Sequence, residues 1–247
     1  MSFSENHAIV TGGANGIGCC IAEHFINAGA HVTVIDIDKQ AGEALCSQYS
    51  NMHFIHGDIA ERNVLEALVK ELPSPANYVI NNACITRKGL LSGCSWDDFE
   101  YVQRVGVTAP YYLTSMLHHS GLLAQGASVV NIASTRGLQS QGDTESYTAA
   151  KGGILALTHA LSISLAGKAR VNAVSPGWID TTCSEHSEED KSQHPAKRIG
   201  RPEDIAEMVL FLCDNHRAGF ITGENILIDG GMSKLMVYHN DDGWKYS

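Results

Sequence analysis

Apolar and polar positions along the chain form two alternating patterns. Short, mostly apolar runs of strand length alternate with longer segments in which apolar residues recur every three or four positions. Strands that are separated by helices pair in parallel and need helices on each face, so the pattern predicts an α/β fold with a doubly wound, seven-stranded parallel sheet. The strand candidates are residues 7–11, 31–36, 52–56, 78–81, 128–133, 170–174 and 225–229.

The size of the chain fits one domain built on such a sheet. Its 247 residues are 44% hydrophobic, and no linker or internal repeat marks a boundary, so a single domain over residues 1–247 is expected. Residues from about 180 to 199 are polar and charged, which predicts a mobile lid loop. The tail, residues 232–247, carries several large apolar side chains and is expected to pack on a pocket or a neighbouring subunit.

Composition argues against several classes of partner. The formal net charge of −10 disfavours a nucleic-acid-binding surface, and no apolar run is long enough to cross a membrane. The first residues lack the basic and apolar segments of a secretion signal, so a cytoplasmic protein is expected. The seven cysteines show no disulfide or zinc spacing, and no metal site is predicted.

A glycine-rich turn follows the first predicted strand and opens a helical pattern. The turn, TGGANGIG, contains Gly12, Asn15, Gly16, Ile17 and Gly18. Glycines let the backbone turn tightly and let a pyrophosphate approach the N-terminus of the helix, where unpaired N–H groups favour an anion. Strand, turn, helix and second strand in this order predict a dinucleotide site.

Asp36 ends the second predicted strand, eighteen residues beyond Gly18. A carboxylate at this place accepts hydrogen bonds from the two ribose hydroxyls of an adenosine and repels a 2′-phosphate. No basic residue lies beside it before Lys39, and Asn15 rather than a base stands in the turn. The sequence therefore favours NAD over NADP.

Further candidate contacts to the cofactor follow the later strands. Asp58 is expected to accept from the adenine amino group, or to cap the next predicted helix, residues 60–72. Asn82 ends the fourth strand at the edge where ligands bind in such sheets. A Pro-Gly turn after the sixth strand presents backbone groups and Thr181 to a nicotinamide carboxamide. The other candidates are Ile59, Ala83, Pro176, Gly177 and Ile179.

Tyr147 and Lys151 are the candidate catalytic pair. They lie four residues apart at the start of a helical pattern, so both side chains project from one face. An ammonium group beside a phenol favours the phenolate and suits it to general acid–base work. Ser134 follows the fifth strand, where its hydroxyl can bond the oxygen on which the tyrosine acts. A Tyr-x-x-x-Lys pair also arises by chance in helices, so its interpretation depends on the surrounding motifs.

Taken together, these motifs resemble the short-chain dehydrogenase/reductase family over nearly the whole chain, in order and spacing. They are the glycine turn, Asn81-Asn82-Ala83, Ser134, Tyr147-x-x-x-Lys151, Pro176-Gly177, Gly200-Arg-Pro-Glu-Asp and Ile221 to Gly231. The resemblance implies a Rossmann domain, NAD(P), a homotetramer or dimer, and a small alcohol or ketone as substrate. It also implies that Tyr147 is the acid/base, that Ser134 steadies the substrate oxygen, and that Lys151 holds the nicotinamide ribose.

Gly106 departs from the family's pattern. Members of the family carry an asparagine in a Val-Asn-Leu-x-Gly-like run of the long helix that anchors a water of the proton relay, whereas this chain has Val-Gly-Val-Thr-Ala. Cys84 is a smaller departure, at a position where glycine is common.

The sequence thus predicts an NAD-dependent oxidoreductase that acts on a secondary alcohol or ketone. Activity of the 3-oxoacyl reductase or hydroxysteroid dehydrogenase type is an alternative within enzymes. A non-catalytic NAD-binding regulator is the alternative outside enzymes, and Gly106 motivates it. The cation of Arg136, two residues beyond Ser134, is expected to favour an anionic group on the substrate if it reaches the pocket.

Overall fold

The computed structural model describes residues 3–236 and 238 of the chain. Seven strands pair in parallel in the order β3-β2-β1-β4-β5-β6-β7, which confirms the predicted sheet. The strands are β1 His7–Thr11, β2 His31–Asp36, β3 Met52–His56, β4 Ala76–Asn81, β5 Leu123–Ile132, β6 Ala169–Pro176 and β7 Asn225–Ile228.

The strand order reverses between β1 and β4. From β1 the chain builds outward through β2 and β3, then crosses to β4 on the other side of β1. The loops that follow β1 and β4 therefore diverge and leave a crevice at the carboxyl edge of the sheet. The predicted glycine turn and Asn82 stand at this switch point.

Three strands, β4, β5 and β6, are longer than the apolar pattern indicates, and the early starts of β4 and β5 are the largest differences. β4 begins at Ala76 and β5 at Leu123, and these two residues pair before the register shifts. The early part of β5 contains Gln125 and Gly126, with Gly126 at φ +75°. Gln125 and the left-handed Gly126 interrupt the apolar run, so the pattern does not predict that β5 begins before Ser128.

Helices cover both faces of the sheet. They are α1 Gly16–Asn27, α2 Lys39–Cys46, α3 Arg62–Glu71, α4 Trp96–Gln103, α5 Ala109–His119, α6 Glu145–Ser164, α7 Glu188–Ser192, α8 Pro202–Cys213 and α9 Asn215–Ala218. One buried apolar cluster packs α1 and α8 on one face, around Phe25 and Val209, and another packs α3 and α5 on the other, around Leu68 and Leu117. These clusters fix the sheet edge that carries the site.

The sequence predicts a long helical segment from Trp96 to about His119 that Gly106 and Pro110 interrupt, and the structure divides this segment at the same place. α4 and α5 are joined by a π-helical turn over Arg104–Thr108. Pro110 has no N–H for a regular turn, and Gly106 relaxes the backbone there, so the hydrogen-bond register changes at this place. Within the residues that the structure describes, no helix is long and apolar enough to cross a membrane.

Candidate cofactor and active site

The glycine turn after β1 is shaped by the close approach of backbone to backbone. Gly12 and Gly16 have φ of +63° and +55°, which favour glycine. A Cβ on Gly18 would lie 2.1 Å from the carbonyl oxygen of Gly12, so a side chain does not fit there. The turn therefore stays tight at the N-terminus of α1, where unpaired N–H groups and the helix dipole favour an anion.

Asn82 ties this turn to β4. Its Nδ2 donates to the carbonyl oxygens of Thr11 at 3.1 Å and Gly12 at 2.8 Å. Thr11 Oγ1 in turn accepts from the backbone N–H groups of Asn82 and Ala83, each at 3.1 Å. The amide that the sequence places beside the ribose thus also holds the two strands of the switch point together.

Two carboxylates lie at the carboxyl end of β2. Asp36 accepts from the backbone N–H groups of Ala14 and Asp38, each at 2.9 Å. Asp38 accepts from the N–H of Ala41 at 3.0 Å and from Nδ2 of Asn15 at 3.1 Å. The Ala41 bond is the main cause that holds the pKa of Asp38 below its usual range, so this carboxyl is charged at neutral pH. Asp38 was not predicted, and it adds a second negative charge beside Asp36.

Asp58 does not cap α3, so that alternative is wrong. α3 has Glu61 as its N-cap, and Asp58 instead accepts from the N–H of Ala60 at 2.8 Å and from the hydroxyl of Tyr101 at 2.8 Å. Burial first, and then this bond to a carboxylate, raise the pKa of Tyr101 to about 12. The phenol therefore stays protonated and links α4 to the loop that follows β3.

The glycine turn, Asp36, Asp58 and Asn82 line one cavity of about 670 Å³ at the carboxyl edge of the sheet. Cavities of this size accommodate small molecules and cofactors. The predicted cofactor contacts on its wall are Gly12, Asn15, Gly16, Ile17, Gly18, Asp36, Asp58, Ile59, Asn82, Ala83 and Thr181. Side chains absent from that prediction also line it, namely Ile35, Ile37, Cys84, Ile85, Tyr101, Val105 and Thr182.

The chemistry along this cavity fits a nicotinamide dinucleotide. The glycine cradle and the N-terminus of α1 suit a pyrophosphate, and Asp36 suits ribose hydroxyls. Cys84 and Ile85 follow shortly after the end of the fourth predicted strand, where ligands bind in such sheets, so their place on the cavity wall can be expected from the sequence. Tyr101 comes from the middle of a helical pattern, and nothing in that pattern predicts that it reaches the cavity.

Tyr147 and Lys151 project one turn apart from α6, as their spacing predicts. Lys151 is buried, with 3% of its surface exposed. Its Nζ donates to the carbonyl oxygen of Ile132, the last residue of β5, at 2.7 Å, and lies 5.5 Å from the centroid of the Tyr147 ring. Ser134 follows two residues after Ile132 and is also buried. The structure therefore brings the three predicted catalytic residues together at the carboxyl end of β5.

A second cavity, of about 690 Å³, opens beside Ser134 and Tyr147. Gly177 and Ile179, which are predicted as cofactor contacts, line this second cavity. Lys151 and Pro176 are buried and are not on the wall of either cavity. The full lining is Thr86, Ser134, Thr135, Arg136, Gln139, Ser140, Gln141, Tyr147, Gly177, Trp178, Ile179, Gln193 and Met232.

The segment of residues 180–199 is anchored by Asp180. This carboxylate accepts from the N–H groups of Thr182 at 2.9 Å and Ser184 at 2.8 Å, and Nε2 of His186 lies 3.1 Å from it. The Thr182 N–H is the main cause that lowers the pKa of Asp180 to about 2, and His186 contributes. Helix α7, which the polar sequence did not predict, lies within the segment.

Of the tail, the structure describes residues 232–236 and 238. Met232 lines the cavity beside Ser134, whereas Leu235 and Met236 are exposed. The prediction that the tail packs on a pocket or a neighbouring subunit also rests on Val237, Trp244 and Tyr246, which lie outside the described residues.

Fold and site together define a dinucleotide-binding protein with a Ser, Tyr and Lys constellation, and comparison with known proteins names its family. A family model described as enoyl-(acyl carrier protein) reductase matches residues 12–233. An uncharacterized oxidoreductase of Thermotoga maritima is 38% identical, with 94% of this chain and 97% of the relative covered. The 3-oxoacyl-(acyl-carrier-protein) reductase of Chlamydia trachomatis is 32% identical, with 92% and 96% covered.

A solved structure agrees with these relatives. An apo SCOR enzyme from Clostridium thermocellum superposes with a TM-score of 0.91 at 43% identity, and the match covers 98% of this chain and 99% of that one. The chain belongs to the short-chain dehydrogenase/reductase family and is an oxidoreductase. Members of this family use NAD or NADP.

Proposed function

We propose that the protein is an NAD-dependent dehydrogenase that interconverts a secondary alcohol and a ketone. The observation that carries the proposal is the position of Lys151, whose ammonium lies 5.5 Å from the centroid of the Tyr147 ring and bonds the end of β5 near Ser134. Ser134 and Tyr147 line the cavity that suits a substrate, and the other cavity suits a dinucleotide. A protein without catalysis has little physical need for this arrangement.

Each of the three residues has a distinct role in this proposal. Tyr147 takes the hydroxyl proton of the alcohol, or gives it to the ketone oxygen in the reverse direction. Ser134 donates a hydrogen bond to the same oxygen and holds it in reach of the phenol. Lys151 donates one of its three protons to Ile132, and the others serve the Tyr147 oxygen and the nicotinamide ribose. NAD, when bound, supplies the hydride acceptor at the nicotinamide ring.

The preference for NAD over NADP is supported by two carboxylates. Asp36 lines the cavity where the adenosine would lie, and its carboxylate accepts from the backbone N–H of Asp38, which lies just outside the wall. A 2′-phosphate placed there would meet both negative charges, whereas ribose hydroxyls would find acceptors. Lys39, the nearest base in sequence, lies 3.7 Å from Glu43 and is exposed.

Reduction of a 3-oxoacyl thioester is the second candidate. Its support is the name of the Chlamydia trachomatis relative, which matches over nearly the full length of both chains. That reaction also reduces a ketone to an alcohol, so the same three residues serve it. The two candidates differ in what the second cavity must hold, which is a small alcohol in one case and a long carrier-bound chain in the other.

We also expect a cytoplasmic homotetramer or dimer. Large apolar side chains lie exposed on the outer helices, with 80% of Trp96, 50% of Tyr111 and 77% of Ile163 accessible. Apolar groups of this size on several helices favour burial against another copy. Light scattering of the purified protein measures the assembly directly.

The proposed function is tested by cofactor binding followed by turnover. Fluorescence titration with NADH and NADPH measures the preference, and NAD reduction is then followed across a panel of secondary alcohols with the same sample. NADH binding that is tighter than NADPH binding, together with turnover of at least one alcohol, supports the proposal. Tight NADH binding without turnover of any alcohol, ketone or 3-oxoacyl thioester would favour a regulator instead.

A further inference from the structure

The cavity beside Ser134 and Tyr147 carries a positive charge. Among the described residues on its wall are hydroxyl and amide side chains and one guanidinium, that of Arg136, but no carboxylate. Across the whole chain the acidic residues, 27, outnumber the lysines and arginines, 17. A wall with a cation and no acid therefore differs from the average surface of this protein and indicates selection for an anionic ligand.

The backbone of Arg136 is fixed by the turn that contains it. This turn, Thr135–Gly137, is a short 3₁₀ helix whose Arg136 N–H donates to Ser134 Oγ at 3.2 Å. A Cβ on Gly137 would lie 2.7 Å from the carbonyl oxygen of Lys151, so the turn packs directly on α6. The position of Arg136 is thus set relative to both Ser134 and the helix that carries Tyr147.

The guanidinium of Arg136 contacts an aromatic ring and a side-chain amide. Its carbon lies 5.5 Å from the centroid of the Tyr147 ring, and its Nη2 donates to the side-chain oxygen of Gln141. In the described part of the chain these are its side-chain partners, and neither is a carboxylate. A guanidinium has five N–H donors in a planar fork, so most of them are left for a ligand.

We propose that Arg136 binds a carboxylate of the substrate, and that the protein therefore acts on short hydroxy acids and the corresponding oxo acids. The inference rests on the proposed function and names its substrate class. A planar carboxylate matches the guanidinium fork with two parallel hydrogen bonds. Because Arg136 lies against the Tyr147 ring, a molecule that reaches both groups carries its carboxylate close to the reacting carbon, as 2-hydroxy and 3-hydroxy acids do.

The carboxylate takes no part in the bond changes. On oxidation, the O–H bond of the alcohol breaks and its proton passes to Tyr147. The C–H bond of the same carbon breaks with its electron pair, and this hydride reduces NAD to NADH as the C=O bond forms. Arg136 holds the neighbouring carboxylate throughout, so its contribution is positioning and specificity.

Matched substrate pairs test the inference. The pairs are lactate with methyl lactate and 3-hydroxybutyrate with methyl 3-hydroxybutyrate, and kcat/KM with NAD is measured for each. The wild type should prefer the acid of at least one pair by about 10- to 100-fold, the range expected of a hydrogen-bonded charge. Arg136→Gln should abolish that preference, and Arg136→Lys, which keeps the charge without the fork, should restore part of it.

A binding measurement makes the test independent of turnover. Calorimetry of propionate and propionamide with the enzyme–NADH complex should show tighter binding of the carboxylate in the wild type and no difference in Arg136→Gln. Arg217→Ala is the matched control. It removes an arginine of α9 whose guanidinium stacks on the ring of Phe211 at 4.9 Å. Helix α9 lies at the opposite edge of the sheet from the site, since its Asn215 donates to the carbonyl oxygen of Gly126 early in β5. This variant should retain the preference for the acid.

The outcomes separate this inference from the proposed function. Turnover of esters or neutral alcohols without preference for the acid, unchanged in Arg136→Gln, would overturn the inference and leave the proposed function standing. Binding of propionate that depends on Arg136, without oxidation of any alcohol, would support the carboxylate site and overturn the proposed function. Equal binding of propionate and propionamide, without turnover, would overturn both.

Discussion

Gly106 lies directly against Ala150, the residue that precedes Lys151 on α6. A Cβ at position 106 would stand 2.8 Å from the Cβ of Ala150, closer than two carbon atoms can approach without movement. Gly106 also lies in the π-helical turn between α4 and α5. The glycine that replaces the expected asparagine therefore lets this turn pack closely on the catalytic helix. The structure has no room for a side chain there unless one of the two segments shifts.

We predict that Gly106→Ala destabilises the protein. A helix gains about 1 kcal/mol when glycine becomes alanine, but overpacking costs about 1–3 kcal/mol, so a net loss is expected. The double variant Gly106→Ala/Ala150→Gly should be less destabilised than the sum of its single variants. Urea unfolding of all four proteins gives the coupling between the two positions. Additive effects would contradict the close contact.

The same geometry predicts the effect of restoring the asparagine. Gly106→Asn alone should lower kcat, because the larger side chain displaces α6 and with it Tyr147. Gly106→Asn/Ala150→Gly makes room and should recover part of that loss. Steady-state rates with the best substrate check this. A rise of kcat in the single variant would contradict this prediction and would show that proton transfer in the wild type is limited by the missing asparagine side chain.

Asp36→Ala should weaken NADH binding and reduce the ratio of the Kd for NADPH to the Kd for NADH. Loss of a charged acceptor for ribose hydroxyls costs about 1.5–3 kcal/mol, or roughly 10- to 100-fold in Kd. NADPH should bind no worse than to the wild type, because a repulsive charge is removed. Fluorescence titration with both nucleotides measures the two constants.

Two further variants control that measurement. Asp38→Ala should reduce the preference for NADH over NADPH less than Asp36→Ala does. Asp38 lies two residues further along the chain, and its carboxylate already accepts from Nδ2 of Asn15. Glu71→Ala removes an equal charge at the C-terminal end of α3, outside the wall of the cofactor cavity. If Glu71→Ala changes the preference as much as Asp36→Ala does, the effect is one of net charge, and the assignment of Asp36 is wrong.

His7 predicts a dependence of stability on pH. The residue is buried in β1, where Nδ1 bonds the carbonyl oxygen of Ser74 at 3.1 Å and Nε2 bonds the hydroxyl of Thr33 at 2.8 Å. A carbonyl only accepts, so Nδ1 carries the proton and Nε2 accepts from Thr33. Burial is the main cause that lowers the pKa of His7 from the 6.5 of an unfolded chain, and His31 and His53 add to it.

The sign follows from the lowered pKa. The fold favours neutral His7, so this contribution to the free energy of unfolding is complete above pH 6.5 and is lost as the pH falls below that value. The loss ends once the pH is below the pKa of the folded state. Its slope is at most about 1.4 kcal/mol per pH unit. Urea unfolding between pH 7.5 and 5 should therefore show a flatter dependence in His7→Gln than in the wild type. The exposed control His118→Gln should keep the slope of the wild type.

Much of the fold could be predicted because buried parallel strands leave a strong signal. All seven strands were located from their apolar runs, and β1, β2 and β3 have the predicted bounds. The pattern does not predict details that depend on local backbone conformation, such as the early start of β5 around Gly126 and the π-helical form of the interruption at Gly106. A left-handed glycine and a changed hydrogen-bond register both depend on tertiary contacts, which the pattern of apolar residues does not contain.

The candidate site was predicted where its residues lie in short motifs and was missed elsewhere. The glycine turn and the Tyr147 and Lys151 pair have fixed spacing along one turn or one helix, so sequence alone brings them together. Tyr101 reaches the cavity only through the packing of α4, and Asp38 comes close to Asp36 only through the path of a loop. The bond between Lys151 and Ile132 joins residues that are nineteen positions apart, and no periodicity predicts it.

The central claim is that Tyr147 transfers the proton that accompanies hydride transfer, and Tyr147→Phe tests it most directly. NAD reduction by the best alcohol of the panel is measured across pH for the wild type, Tyr147→Phe and Tyr49→Phe. The last variant removes a hydroxyl that donates to Glu23 and lies on the wall of neither cavity. We predict that Tyr147→Phe lowers kcat by about 100- to 10,000-fold with NADH binding unchanged, and that Tyr49→Phe matches the wild type. Turnover by Tyr147→Phe within a few-fold of the wild type would contradict the account.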